Sequence, residues 1–144
     1  MKDKMNEPHS RLTQLAEEFE FLDDWETKYR HIIDLGKKLP AISPSQKNDG
    51  NKIKGCASQV WLVCAYSKES GKVTYGGESD STLVQGLMGI LIHIYSDANP
   101  SDIISLAPEE VFATLGLVEA LTASRANGLS SIADNIMKFA RLKS

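Results

Sequence analysis

Val60-Trp61-Leu62-Val63-Cys64-Ala65-Tyr66, then Lys68-Glu69-Ser70-Gly71, then Lys72-Val73-Thr74-Tyr75: two β-branched and aromatic runs joined by a polar, glycine-ended link stand mid-chain. The surrounding periodic stretches are helical, so the fold class is α+β: an antiparallel hairpin set among helices. The first run is apolar on both faces, which predicts helices over one side and a loop over part of the other.

Upstream, Pro40 to Gly55 (PAISPSQKNDGNKIKG) holds two prolines, two glycines and an Asn-Asp-Gly turn signal, and reads as an extended loop delivering the chain to Cys56. Before it, Trp25, Tyr29, Ile32 and Ile33 form the inward stripe of a helix that Asp23 caps with Glu26 three positions on. Leu12, Leu15, Phe19 and Leu22 describe a first amphipathic helix over about 10 to 22. Downstream, Gly76 to Ser81 is a turn, with Ser79 or Asp80 as cap of a helix burying Leu83, Val84, Leu87, Leu91 and Ile94. Pro100 and Pro108 each open a short helix. A final helix starts at Ser124 or Asn127 and runs to Leu142, with Leu129, Ile132, Ala133, Ile136, Met137 and Ala140 on one stripe.

At 144 residues and 42% hydrophobic content the chain is one domain, 1–144, with a core of its own. Sixteen Lys and Arg against nineteen Asp and Glu leave a net charge of −3, and residues 55–124 hold two basic against eight acidic side chains. A polyanion would find no basic field here, so nucleic acid is not an expected partner. The apolar runs are too short for a membrane span, and the opening MKDKMNEPHSRLTQLAEE has no continuous apolar stretch, which predicts a mature cytoplasmic protein.

His9, His31 and His93 sit in no metal-binding spacing, no metal site is expected, and His93, on an apolar helix, reads as a core histidine. Gly76-Gly77 and Gly86-x-x-Gly89 follow no phosphate-loop spacing, and no Gly-x-Ser-x-Gly elbow frames a serine. That leaves two cysteines. Cys64, mid-strand, reads as a small buried hydrophobe. Cys56 follows a loop and Gly55, with Lys52 and Lys54 nearby to favour a thiolate, and is either a functional thiol or an incidental one.

The run Gly55-Cys56-Ala57-Ser58-Gln59-Val60-Trp61 resembles the active-site segment of the SufE-like family. Three other stretches agree in order: Trp25 to Pro40, ending Leu35-Gly36-Lys37-x-Leu39-Pro40; Gly77-Glu78-Ser79-Asp80 with Leu83-Val84-x-Gly86-Leu87; and Leu121-Thr122-x-Ser124-Arg125-x-x-Gly128-Leu129. The resemblance implies a fold similar to the SufE/IscU type, a small antiparallel sheet of about three strands with helices mostly on one face. It implies a sulfur acceptor: Cys56 takes persulfide sulfur from a pyridoxal-phosphate (PLP) SufS-like cysteine desulfurase, stimulates that enzyme, and passes the sulfur to a SufBCD-like iron–sulfur scaffold. The PLP belongs to the desulfurase, and no cofactor is expected on this chain. By family position Asp80 and Arg125 steady the cysteine loop or meet the desulfurase, against the plainer roles of helix cap and surface ion pair, and Trp61 walls the thiol. Glu78 stands where the family commonly has Asp, and the stretch Ser43 to Gly50 before the cysteine is this chain's own. Exposed apolar residues expected only around the cysteine loop predict a monomer. The competing readings are an iron–sulfur scaffold, for which two cysteines supply too few ligands, and a non-catalytic interaction module.

Overall fold

The computed structural model describes residues 7–54, 58–118 and 127–144. Helices α1 (Glu7–Glu20) and α2 (Trp25–Lys38) precede strands β1 (Val60–Ser67) and β2 (Lys72–Ser79). Then come α3 (Thr82–Tyr95), the short α4 (Pro100–Ile104) and α5 (Pro108–Thr114), and α6 (Asn127–Lys143). Pro100 and Pro108 each sit in the first helical turn, where a missing N–H costs nothing.

β1 and β2 pair antiparallel from Val60↔Ser79 to Ser67↔Lys72. Gly71 closes the link with φ +72, a left-handed conformation that suits glycine, and its N–H donates to Ser67 O at 2.8 Å. Among the described residues the sheet has two strands where about three were expected. In place of a third, single bridges flank the hairpin, Lys52↔Trp61 on the β1 side and Val73↔Ala98 on the β2 side. The pairing on the β1 side stays short because the polar sequence before Lys52 bonds to itself instead of extending along β1.

Val60, Leu62, Val73, Tyr75 and Gly77 face the helices and are buried. α3 lies directly on β2, close enough that a side-chain carbon at Gly77 would stand 2.6 Å from Met88 Sδ. β2 therefore runs on through Gly76 and Gly77, which the sequence assigned to a turn; glycine is needed for this close approach as well as for turns. Leu87, Met88, Ile90, Leu91, Ile94 and Tyr95 fill the middle of the core, with α1 and α2 on one flank of α3 and α6 on the other. All six residues of the expected α6 stripe, Leu129, Ile132, Ala133, Ile136, Met137 and Ala140, are buried. On the opposite sheet face a loop lies over Gly76, where Ile42 Cγ2 would stand 3.7 Å from an added Cβ. That matches the expected division into helix-covered and loop-covered sides.

The α2 stripe is narrower than the sequence suggested. Ile32 is fully buried, but Trp25 is 49% exposed and packed in a tilted pair with Tyr29, 6.3 Å between rings. The first turn of α2 projects beyond the core, and its cap is Asp24, not Asp23: Asp24 Oδ1 accepts the Thr27 N–H at 2.8 Å. Those hydrogen bonds hold the Asp24 carboxyl below its usual range. α3 is likewise capped one residue later than expected, by Ser81 through Val84 N–H at 3.3 Å. His93 is exposed at the rim of a cleft between α1, α2 and α3, not in the core as read from its apolar neighbours, because it falls on the outer stripe of α3. Partial burial of its ring, and then Arg11, push its pKa down, against a weaker opposing pull from Glu18. The exposed large apolar side chains described are Phe21, Trp25, Ile104, Val118 and Leu142, none of which adjoins Cys56 in the chain. No helix among the described residues is long and apolar enough to cross a membrane.

Candidate functional site

Cys56 and Arg125 lie outside the described residues, and with them the start of the Leu121-Thr122 motif; the described chain reaches Lys54 before Cys56 and resumes at Ser58. Upstream, Ile53 N–H donates to Val60 O and Leu62 N–H to Asn51 O, each at 2.8 Å, so Asn51–Ile53 lies along the outer edge of β1. Downstream, Gln59 N–H donates to Asp80 Oδ1 at 3.0 Å, and Asp80 N–H returns a bond to Gln59 O at 3.2 Å. Both arms leading to Cys56 are therefore pinned to the hairpin within a few residues of it.

Asp80 is thus not the cap of α3. Its carboxylate is spent on the downstream arm, and the neighbouring Ser79 hydroxyl accepts Ser81 N–H at 3.1 Å, tightening the turn out of β2. A carboxylate accepting a backbone N–H makes a charge-assisted bond, roughly twice as strong as a neutral one.

The last helix, α6, runs alongside β1. Lys143 Nζ is 6.0 Å from the Tyr66 ring centroid, while Asn135 shares a cleft with Leu62 and Cys64. Going up α6 from its C-terminus therefore moves along β1 toward Val60. Asn127 lies a further eight residues on, about 12 Å of helix rise. Ser58 and Asn127, two residues after Cys56 and Arg125 in the sequence, stand toward one end of the hairpin. Tyr75 secures this arrangement by donating its hydroxyl to Ile136 O at 2.8 Å in the core.

Trp61 is half-buried on the face away from α3 and α6, beneath Lys47, whose Nζ is 5.7 Å from its ring centroid and 2.5 Å from Glu78 Oε2. The apolar face of the strand does not adjoin it. Ile53, Leu62 and Cys64 instead line a separate cleft of about 270 Å³ on the helix face, with Lys52, Asn135 and Phe139. Side chains alternate along a strand, so Trp61 and Leu62 cannot face the same space.

Cys64 is half-buried in β1, and desolvation pushes its thiol up to about 11, so it stays protonated at neutral pH. Among the described residues no group of three or more His, Cys, Asp or Glu is close enough to hold a metal ion. Sequence reasoning passed over Gln59, which acts through its backbone, and the Lys47–Glu78 pair, which joins residues far apart in the chain. The signal within reach was local: Asn48 and Asn51 are side chains that readily close turns on neighbouring backbone.

Two uncharacterised SufE-like proteins resemble this chain closely. That of Rhizobium etli is 42% identical over 134 residues, 92% of this chain and 90% of the relative. That of Rhizobium meliloti is 42% identical over 123 residues, 84% and 88% of the two chains. Among solved structures, the solution structure of a hypothetical protein from Thermus thermophilus superposes with a TM-score of 0.75 at 19% identity, covering 96% of this chain and 98% of that one. That likeness speaks for the fold. Residues 13–140 match the family described as SufE, Fe-S metabolism associated domain, and with relatives of this identity over most of its length the chain belongs to the SufE family.

Proposed function

We propose that the protein is a sulfur acceptor serving iron–sulfur cluster assembly, with Cys56 as its single working group. The Cys56 thiolate attacks the outer sulfur of a cysteine persulfide on a PLP-dependent, SufS-like desulfurase. The desulfurase S–S bond breaks, its cysteine thiolate leaves, and Cys56 becomes the persulfide. No net oxidation occurs, and clearing the persulfide frees the desulfurase for its next turn. The sulfur then passes to a SufBCD-like scaffold. On this reading the protein is a carrier more than an enzyme, acts as a monomer in the cytoplasm, and leaves the PLP on its partner.

The observation that carries the reading is the contrast between the two cysteines. Cys64 is locked in a strand with a raised pKa, whereas Cys56 lies in a short connection whose two ends are fixed at Ile53 and Gln59. Sulfur exchange between proteins needs an accessible thiolate brought into another protein's site, and a short connection held at both ends suits that task. Arg125, shortly before α6, is proposed to meet the desulfurase, and Trp61 to floor the upstream arm.

The test is intact-protein mass spectrometry after incubation with cysteine and a cysteine desulfurase. A gain of one sulfur atom, reversed by a thiol reductant, is expected; no gain with any desulfurase tried would sink the proposal in favour of an interaction module. Asp80 supplies a second expectation. Asp80→Ala removes the acceptor for Gln59 N–H and should speed exchange of that amide about tenfold, while Asp80→Asn, whose side-chain oxygen still accepts, should change it far less. Equal exchange in both variants would rule out the carboxylate as the restraint.

A further inference from the structure

The polar stretch before the cysteine is a small folded unit. Pro44–Gln46 forms a 3-10 turn, and Ser43 N–H donates to Gln46 Oε1 at 2.9 Å. Asn48 Nδ2 donates to Ser45 O at 2.9 Å, Asn51 N–H to Asn48 Oδ1 at 3.0 Å, and Asn51 Nδ2 to Gln46 O at 2.9 Å. Lys47 reaches out of this unit to the sheet. There it meets Trp61 and Glu78, which are register partners across β1 and β2, one through its ring face and the other through its carboxylate. Both members of the ion pair are half-buried, with side-chain exposures of 35% and 28%. The unit's last residue, Asn51, and then Lys52 and Ile53 pair with β1, and the chain runs on to Cys56.

We propose that Lys47 is a positioning residue for Cys56: by seating the Ser43–Asn51 unit on the Trp61–Glu78 pair it fixes the upstream arm of the cysteine segment and so governs the reactivity of the thiol. The inference rests on Cys56 being the working thiol, but its mechanical part stands on Lys47 alone. A half-buried ion pair reinforced by a cation over an aromatic face is strong enough to hold an arm in place and weak enough to be released by salt or by a competing partner.

The test uses the intact chain carrying Cys64→Ser and reads two quantities, amide exchange at Ile53 and Leu62, and the rate at which iodoacetamide alkylates Cys56. Lys47→Met and Glu78→Gln should each speed both by about fivefold. Lys47→Arg, which keeps the charge and the contact with the ring, should restore the parent values, and about 1 M salt should bring the parent up to the Lys47→Met rates. Unchanged exchange in Lys47→Met overturns the proposal. So does faster exchange with unchanged alkylation, because Lys47 would then hold the arm without governing the thiol. Neither readout passes through sulfur transfer. A chain that accepts no sulfur yet shows the Lys47 dependence would sink the acceptor role and leave the positioning role standing.

Discussion

Cys56→Ser is expected to lose sulfur acceptance to background, a fall of about a hundredfold or more, while Cys64→Ser stays within about twofold of the wild type. A free cysteine thiol titrates near 8.5, so at neutral pH about a few per cent is nucleophilic thiolate, and a serine hydroxyl offers no comparable fraction. The second thiol cannot substitute. Burial in β1 raises its pKa to about 11, which keeps it neutral below that pH, and the strand holds it against Asn135 and Phe139. Even at about pH 9 the Cys64 thiol remains almost wholly protonated, so its alkylation should stay slow. Peptide mapping after sulfur loading checks both statements. Sulfur recovered on Cys64, or on Cys56→Ser, would remove the distinction between the two cysteines on which the acceptor reading stands.

The largest expected effect on stability comes from Gly86→Ala. α2 and α3 cross at Gly36, Gly86 and Gly89, with backbones in near contact. A Cβ at Gly86 would run into the carbonyl oxygen of Ile32 and come within 2.6 Å of Ile32 Cγ2, and one at Gly36 would come within 2.8 Å of Gly86 Cα. Backbone atoms cannot rotate away as a side chain can, so the helices must part along a seam that also buries Ile32 and Leu87. The expected loss is about 3 kcal/mol, at the upper end for overpacking and a large share of the ~5–15 kcal/mol that holds a domain together. In urea the midpoint should fall by about 1 to 2 M at unchanged slope. Gly76→Ala is the control, since its Cβ would sit 3.7 Å from Ile42 Cγ2 in ordinary contact, and a shift below about 0.5 kcal/mol is expected. Equal midpoints for the two variants would show that the helix crossing is less tight than described.

Much of this arrangement was legible in residue order alone, because its causes are local or periodic. The α6 stripe, the proline-led short helices and the paired strands rest on spacing, which neighbours in the chain decide. The sequence pattern misled where a distant contact took over. Gly76 and Gly77 read as a turn until Met88 required a flat strand surface, and His93 read as core until α3 was seen to turn it outward. Asp80 and Ser79 both looked like caps; tertiary placement gave Asp80 to Gln59 and the capping to Ser81. Lys47 had no reading at all, since its partners lie 14 and 31 residues on. The family resemblance named Asp80 as a neighbour of the cysteine segment, and its carboxylate accepts the N–H of Gln59, three residues after Cys56 in the sequence.

The Ser43–Asn51 unit has one more implication. Its internal hydrogen bonds are made among its own residues, and none of them is buried in the hydrophobic core. Such a segment is a cassette: it can be exchanged, lengthened or grafted between homologues without asking the core to repack. A chimera carrying a relative's version of residues 43–51 is then expected to melt at the parent's temperature.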